Sequence, residues 1–325
     1  MKKIFLVILG IIVLASSAFG IYLYVEDLKH RDDEKIINEG KDITKEEYIY
    51  KEDLLVLGYT INEIDIIKSK ISNTDVKTYL LSKKYNNLTK FITSPYFKLE
   101  NIERYEKYYE KNNNFTTDEV VLYVEIGLDI EFYTNVVEIT NYNDIDAIVN
   151  KYNKLPKNFE PKDLVSIDKK YKKSSYNYKL RKPAQEALYK MIDAAAKDGI
   201  KLWVVSAYRT ESTQASLFNN SKKNDGLAHA LIYSAKPGHS EHQLGLAVDI
   251  NLASSKAHFE NTKEYEWLKN NAYKYGFIER YPKGKEFITG YGFEPWHYRY
   301  FGIELATDLY LDGSTYEEYL VKHSK

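Results

Sequence analysis

The sequence predicts an α+β fold for its second half, and three observations carry that prediction. Lys182 to Lys197 reads as an amphipathic helix, with Pro183 near its start and Gly199 just past its end. Ile200 to Val205, Leu244 to Asn251 and Trp296 to Phe301 read as strands, and Tyr265 to Tyr275 as a helix closed by Gly276. These helices and strands are mixed without a repeated βα unit, which favours α+β over a doubly wound sheet.

At 325 residues the chain is long enough for about two domains, at roughly 100–200 residues each. Its N-terminus reads as membrane-directed. Lys2 and Lys3 precede an uncharged, mainly apolar run from Ile4 to Val25 that Glu26 ends. Twenty-two residues at about 1.5 Å each span roughly 33 Å, enough for a bilayer core. The apolar region of a cleaved signal peptide usually stops after about 7–15 residues, so the length favours an uncleaved anchor over residues 1–26. Ser16, Ser17 and Ala18 keep a cleavable signal peptide as the alternative. The positive N-terminal end predicts an exported body, with the protein at the cell membrane, or secreted if the segment is cleaved.

Residues 27–52 are charge-dense and read as a solvated stalk. In residues 53–153, Asn62 to Lys68 and Val76 to Phe91 place apolar residues at helical spacing, and Thr116 to Glu119 offers a cap before Val120. That stretch has no histidine and no glycine-rich loop, so residues 27–154 are expected to be a stalk and mainly helical spacer without chemistry. Pro156 and Pro161 hold the residues before them extended, which suggests a domain boundary there and a second domain over 155–325.

Composition narrows the chemistry. Basic and acidic residues balance, 46 against 47, which argues against a nucleic-acid binder with a broad basic surface. The absence of cysteine excludes disulfides, thiolate zinc fingers, iron–sulfur clusters and cysteine nucleophiles, so any metal site must use His, Asp and Glu. His242, Asp249 and His297 would supply the three ligands of a catalytic zinc, leaving one position open. Glu294 is then free beside the metal as a general base. Asp249 is the most telling of the set, because a carboxylate inside an apolar strand is expensive unless paired or metal-bound. Gly245 and Ala247 are expected to let backbone and substrate approach closely. His239 and His258 read as surface or supporting residues, and His30, His229 and His323 as solvent-exposed. Trp296 is either an apolar wall that excludes water or simple core packing.

Three ordered motifs carry a resemblance. Ser206-Ala-Tyr208-Arg209, then Ser240-x-His242-x-x-Gly245-x-Ala247-x-Asp249, then Glu294-x-Trp296-His297-x-Arg299 are similar to the signatures of the VanY-like D-alanyl-D-alanine carboxypeptidases. These belong to the zinc peptidase group that also holds the VanX-type dipeptidases and the Hedgehog signalling domain. The resemblance covers roughly residues 160–325. It implies a Hedgehog/D-Ala-D-Ala-peptidase-like fold, Zn2+ on His242, Asp249 and His297, and Glu294 as catalytic base. It also implies that Arg209 stabilises the oxyanion or anchors substrate, and that Ser206, Tyr208, Gln214, Ser240 and Trp296 contact substrate. Two departures stand out: Thr210 replaces the usual serine, and His239 stands where an aromatic or aliphatic residue is common, which bears on the pocket rim.

The implied activity is removal of the terminal D-alanine from peptidoglycan stem peptides. L,D-carboxypeptidase action on tetrapeptide stems is the nearest alternative, and a non-hydrolytic wall-binding module is a second from another class. The expected partners are the stem peptide and the membrane, with neither nucleic acid nor a protein partner.

Overall fold

The computed structural model describes residues 45–252 and 258–324. The expected membrane segment, the first part of the stalk and His30 lie outside the described residues. Among the described residues no helix is long and apolar enough to cross a membrane. The described residues divide into two compact units, parted between Val121 and Leu122.

The described part of the first unit is helical, as its spacing predicts. Its main helices are α1 (Lys45–Val56), α2 (Ile61–Lys70), α3 (Ile102–Lys111) and the start of α4 (Thr117–Ile126). Thr60 and Glu63 form a reciprocal cap on α2: Glu63 N–H donates to Thr60 Oγ1 at 3.3 Å, and Thr60 N–H to the Glu63 carboxylate at 2.7 Å. Thr116 and Glu119 do the same for α4. Ile64 and Ile67 of α2, and Ile102, Tyr105 and Tyr108 of α3, are buried at i, i+3 and i+6 spacings. The stretch Val76 to Phe91, which reads as one helix, is instead a π-type turn (Val76–Leu80) and a single helical turn (Leu88–Phe91).

The second unit is α+β. Its strands are β1 (Val137–Glu138), β2 (Asn153–Lys154), β3 (Leu164–Ser166), β4 (Lys179–Arg181), β5 (Trp203–Ser206), β6 (Ala247–Asn251), β7 (Phe277–Glu279) and β8 (His297–Tyr300). Its helices continue as α5 (Lys182–Lys197), α6 (Glu211–Asp225), α7 (Leu227–Tyr233), α8 (Lys263–Asn271), α9 (Ile303–Asp312) and α10 (Tyr316–Lys322). Four strands form an antiparallel sheet in the order β5-β6-β8-β7. Helix α5 buries Ala184, Leu188, Met191, Ile192 and Ala195, one stripe of its surface, in a core shared with Val204, Val248, Ile250, Phe277 and Tyr298. Every residue of β6 is buried, so both faces of that central strand are covered.

Residues Ile139, Ala147, Val149 and Leu155 lie in that same core cluster. The boundary expected at Leu155 therefore falls inside the second unit. Pro156 and Pro161 restrict the local backbone, but long-range bonds decide the packing. Leu155 N–H donates to Gly238 O at 2.8 Å, and Arg299 Nη2 to Ile145 O at 2.7 Å and Ala147 O at 3.0 Å.

The predicted strand over Leu244 to Asn251 is shorter than its apolar pattern. Glu241–Leu244 winds as a 3₁₀ turn, and Gly245 ends it at φ +68. A Cβ on Gly245 would sit 2.9 Å from Leu164 and 3.1 Å from Arg181, so this glycine serves close packing on the β3–β4 hairpin rather than substrate approach. The helix over Tyr265 to Tyr275 is α8 followed by a 3₁₀ turn, Ala272–Tyr275, that Gly276 closes at φ +84.

At Gly276 a Cβ would come within 2.7 Å of the Tyr300 ring and 2.9 Å of the Gly302 backbone. Gly276→Ala should cost about 2 kcal/mol or more, from left-handed strain plus overpacking. Urea unfolding should show a lower midpoint at unchanged m-value. An unchanged midpoint would mean the α8–β7 turn is not under this constraint.

Candidate active site

Strand pairing builds the site. Across β5, β6 and β8, Ser206 pairs with Asp249, and Asp249 pairs with His297. Directly opposed residues on neighbouring strands present their side chains to one face, so three polar groups form a row. The β5–β6 register shifts between Val204 and Ser206, and this bulge turns Ser206 into line. His242 arrives from the 3₁₀ turn before β6, and Glu294 from the loop before β8.

His242, Asp249 and His297 offer one ligand atom each within 4.8 Å of one another, and all three residues are buried. Asp249 Oδ1 lies 3.3 Å from His242 Nε2 and 3.3 Å from His297 Nδ1, yet no hydrogen bond satisfies that oxygen. The other carboxylate oxygen, Oδ2, accepts from Arg209 Nη2 at 2.9 Å. Each imidazole is held by its remote nitrogen. His242 Nδ1 donates to Ala207 O at 2.7 Å, and His297 Nε2 faces Glu241 Oε2 at 3.4 Å. With those nitrogens engaged, Nε2 of His242 and Nδ1 of His297 are the ones turned toward Asp249.

Electrostatics separate the groups. Burial lowers His242 to about 4, helped by the Arg209 charge, so its ring stays neutral. Burial also disfavours the charged forms of Asp249 and His297, but their neighbours outweigh it. His242, His297 and Arg209 hold Asp249 well below the usual carboxylate range. Contact with Asp249 and Glu241 raises His297 to about 9. Glu294 behaves oppositely to Asp249: burial, aided by the Asp249 and Glu241 charges, pushes it up to about 7. Its carboxylate sits 3.6 Å from His297 Nδ1 with a side chain 14% exposed.

A cavity of about 590 Å³ opens onto this cluster. Of the residues expected at the site, Ser206, Arg209, Gln214, Ser240, His242, Asp249, Glu294, Trp296 and His297 line it. Arg209 is tethered by Ser206 Oγ, which accepts from its Nε at 3.1 Å and its Nη2 at 2.9 Å. Gln214 is buried, donating to Ala235 O at 2.8 Å, with its Oε1 3.4 Å from Arg209 Nη1. Trp296 both lines the cavity and packs against the main core, so its two readings hold together. Tyr208 is the exception. It faces an adjoining groove with Tyr176 and Tyr178, which shares Ser206 and Arg209 with the cavity.

The other histidines sort differently from expectation. His239 is buried: its Nδ1 donates to Asn150 O at 2.8 Å, and its ring packs edge-on against Tyr133, so it does not form the pocket rim. His229 is about half exposed, as expected, but lines the cavity with Tyr233. His258 and His323 are exposed. Sequence reasoning missed Tyr281 and Tyr291 in the cavity wall. It also missed Lys151, buried behind Tyr291 with its Nζ donating to Leu231 O at 2.7 Å and held down to about 8 by burial and the Lys236 charge. Glu241 lines the cavity too, and nothing in its local sequence distinguishes it from a solvated acid.

Comparisons with known proteins identify the family. A family model described as D-alanyl-D-alanine carboxypeptidase, VanY, matches residues 177–303. The chain is 41% identical over 222 residues to a putative carboxypeptidase, YodJ, of Bacillus subtilis, covering 66% of this chain and 81% of that protein. The chain belongs to the VanY-like D-alanyl-D-alanine carboxypeptidase family. It is thus a peptidase by descent. Among solved structures, the LdcB LD-carboxypeptidase is 42% identical at TM-score 0.53, over 59% of this chain and 92% of that one. A VanY D,D-pentapeptidase from a VanB-type resistance cassette, crystallised with Zn(II), is 37% identical at TM-score 0.47, over 54% of this chain and 98% of that one.

If Asp249 joins the two imidazoles as a ligand, Asp249→Ala should lose the bound ion, since three protein ligands are the minimum of a tight catalytic site. Equilibrium dialysis against zinc should find about one ion per wild-type chain and almost none on the variant. Retention at wild-type affinity would point to another carboxylate.

Proposed function

We propose that this chain is a zinc-dependent D,D-carboxypeptidase that removes the C-terminal D-alanine from peptidoglycan stem peptides. The observation that carries the reading is the pair of imidazole nitrogens converging on Asp249 Oδ1, a buried carboxylate oxygen with no hydrogen bond of its own. Two nitrogens and one carboxylate oxygen, with both histidines oriented from behind, are a donor set suited to zinc. The carboxylate field that raises the affinity of His297 for a proton equally favours a divalent cation. His242, Asp249 and His297 would hold the ion. Bound there, zinc would polarise the scissile carbonyl and acidify a water.

The chain's own residues supply the rest. Glu294, pushed up to about 7, is matched to neutral pH: its carboxylate takes a proton from the attacking water and its acid form passes it to the leaving amine. Arg209 is braced by Ser206, Asp249 and Gln214, which leaves one Nη1–H for an anionic partner in the cavity. That partner is the substrate's terminal carboxylate or the oxygen that becomes negative during attack. Ser240 and Gln214 line the pocket for the terminal residue, and Trp296 narrows access of bulk water. Tyr208 acts one step further out, in the groove that continues past Ser206 and Arg209.

L,D-carboxypeptidase action on tetrapeptide stems is the second reading, favoured by the likeness to the LdcB LD-carboxypeptidase. The presence of Glu294 and Arg209 in one cavity speaks against a non-hydrolytic binding module. We place the catalytic unit outside the cell, with residues 1–26 as its anchor and the first unit as a helical spacer; Lys2 and Lys3 before the apolar run support this.

Purified protein given penta- and tetrapeptide stems should release D-alanine from the pentapeptide. Release from tetrapeptides alone would overturn the D,D assignment in favour of the second reading. Separately, Glu294→Ala should lower kcat by about 10²–10⁴-fold, the usual range for a general acid–base, with zinc content unchanged. Undiminished turnover would remove Glu294 from that role.

A further inference from the structure

Behind His297 lies a buried assembly of four charges. Glu241, Arg280 and Arg299 are at most 2% exposed, and Glu317 is 6% exposed. Glu241 Oε1 accepts from Arg280 Nε at 2.8 Å and from Arg299 Nη1 at 3.1 Å, and its Oε2 faces His297 Nε2 at 3.4 Å. Arg280 then forks onto Glu317, with Nη1 to Oε2 at 2.9 Å and Nη2 to Oε1 at 2.6 Å. Asn150 Nδ2 donates to the same Glu317 Oε1 at 3.2 Å. Two carboxylates and two guanidiniums cancel, which is the condition under which charges tolerate burial.

Glu317 belongs to α10, beyond the 177–303 span that the family model matches. Thr315 and Glu318 cap that helix reciprocally, and Lys285 Nζ binds Glu318 at 2.9 Å. Tyr316 Oη donates to Asp146 O. Glu317 is therefore presented to Arg280 on an element fixed at several points.

We propose that Glu317 on the C-terminal helix is a positioning residue for the metal ligand His297, acting through Arg280 and Glu241. The proposal rests on His297 being a zinc ligand, as in the proposed function. Glu317 occupies both terminal nitrogens of Arg280, so Arg280 reaches Glu241 only through Nε and only at Oε1. That leaves Glu241 Oε2 for His297 Nε2–H, which keeps the ring oriented with Nδ1 toward Asp249. Without the Glu317 charge, the Arg280 fork is free to take both oxygens of Glu241. His297 then loses its partner and its tautomer is no longer set. A carboxylate behind a ligating histidine commonly carries 10–100-fold in metal affinity or activity. Glu317 acts one residue further back, so the lower end of that range is expected.

The test is Glu317→Gln, which keeps shape and removes charge, with zinc affinity of the metal-stripped protein measured against a competing chelator. The expected result is zinc binding about tenfold weaker, with kcat reduced and KM little changed at saturating zinc. Glu317→Asp, which restores the charge on a shorter arm, should recover part of the affinity. It also serves as the measured variant if Glu317→Gln does not fold. Wild-type zinc affinity and kcat in a folded variant, with only the melting temperature lowered, would overturn the proposal and leave Glu317 a purely structural group. A wild-type chain that binds no zinc would overturn the proposed function as well, which separates the two failures.

Discussion

The site depends on one cross-strand pairing, Asp249 of β6 opposite His297 of β8. Side chains alternate with period two along a strand, so a slip of one residue would turn Asp249 away from His297 and place an apolar neighbour in its position. The register is held from outside the site. Val248 and Ile250 flank Asp249 and point into the main core, so the hydrophobic face that packs on α5 fixes which face is left for the carboxylate. Ser206 joins the row only because a bulge in β5 shifts its phase. The apolar core is thus what sets the geometry of the His–Asp–His cluster.

Once fixed in place, the charged groups divide their roles by environment. Asp249 and Glu294 are both buried carboxylates in one cavity, yet they are pushed in opposite directions. Asp249 has two imidazoles and a guanidinium against it and stays ionised. Burial pushes Glu294 up, and the like charges of Asp249 and Glu241 add to it against fewer cationic contacts, so it is raised to about 7. Such a split lets a single pocket offer both an ionised carboxylate and a proton-exchanging one. Glu241 favours the cationic or metal-bound form of His297 while itself being held by two arginines.

The cluster of His242, Asp249 and His297 was legible in the sequence because a lone aspartate in an apolar strand is costly and demands an explanation, and two histidines at motif spacing offered one. Helix α5 was legible because Pro183, Gly199 and a clean apolar stripe mark its ends and its face. The support behind His297 was not. Glu241, Arg280, Arg299 and Glu317 are separated by 37 residues or more along each of their contacts, and charged residues read singly look like solvated surface. The same limit moved the domain boundary. Pro156 and Pro161 describe only local backbone, whereas Ile139, Ala147 and Val149 are claimed by the second unit through tertiary burial. His239 misled for a related reason, since nothing near it in sequence announces Asn150 and Tyr133 as its partners.

The most direct measurement is a crystal structure of zinc-loaded protein with anomalous data collected on both sides of the zinc edge. The expected result is a single strong anomalous peak bonded to His242 Nε2, Asp249 Oδ1 and His297 Nδ1, with Glu294 beside it and not bonded. A peak that engages Glu294 in place of Asp249, or His297 through Nε2 with Glu241 displaced, would contradict it.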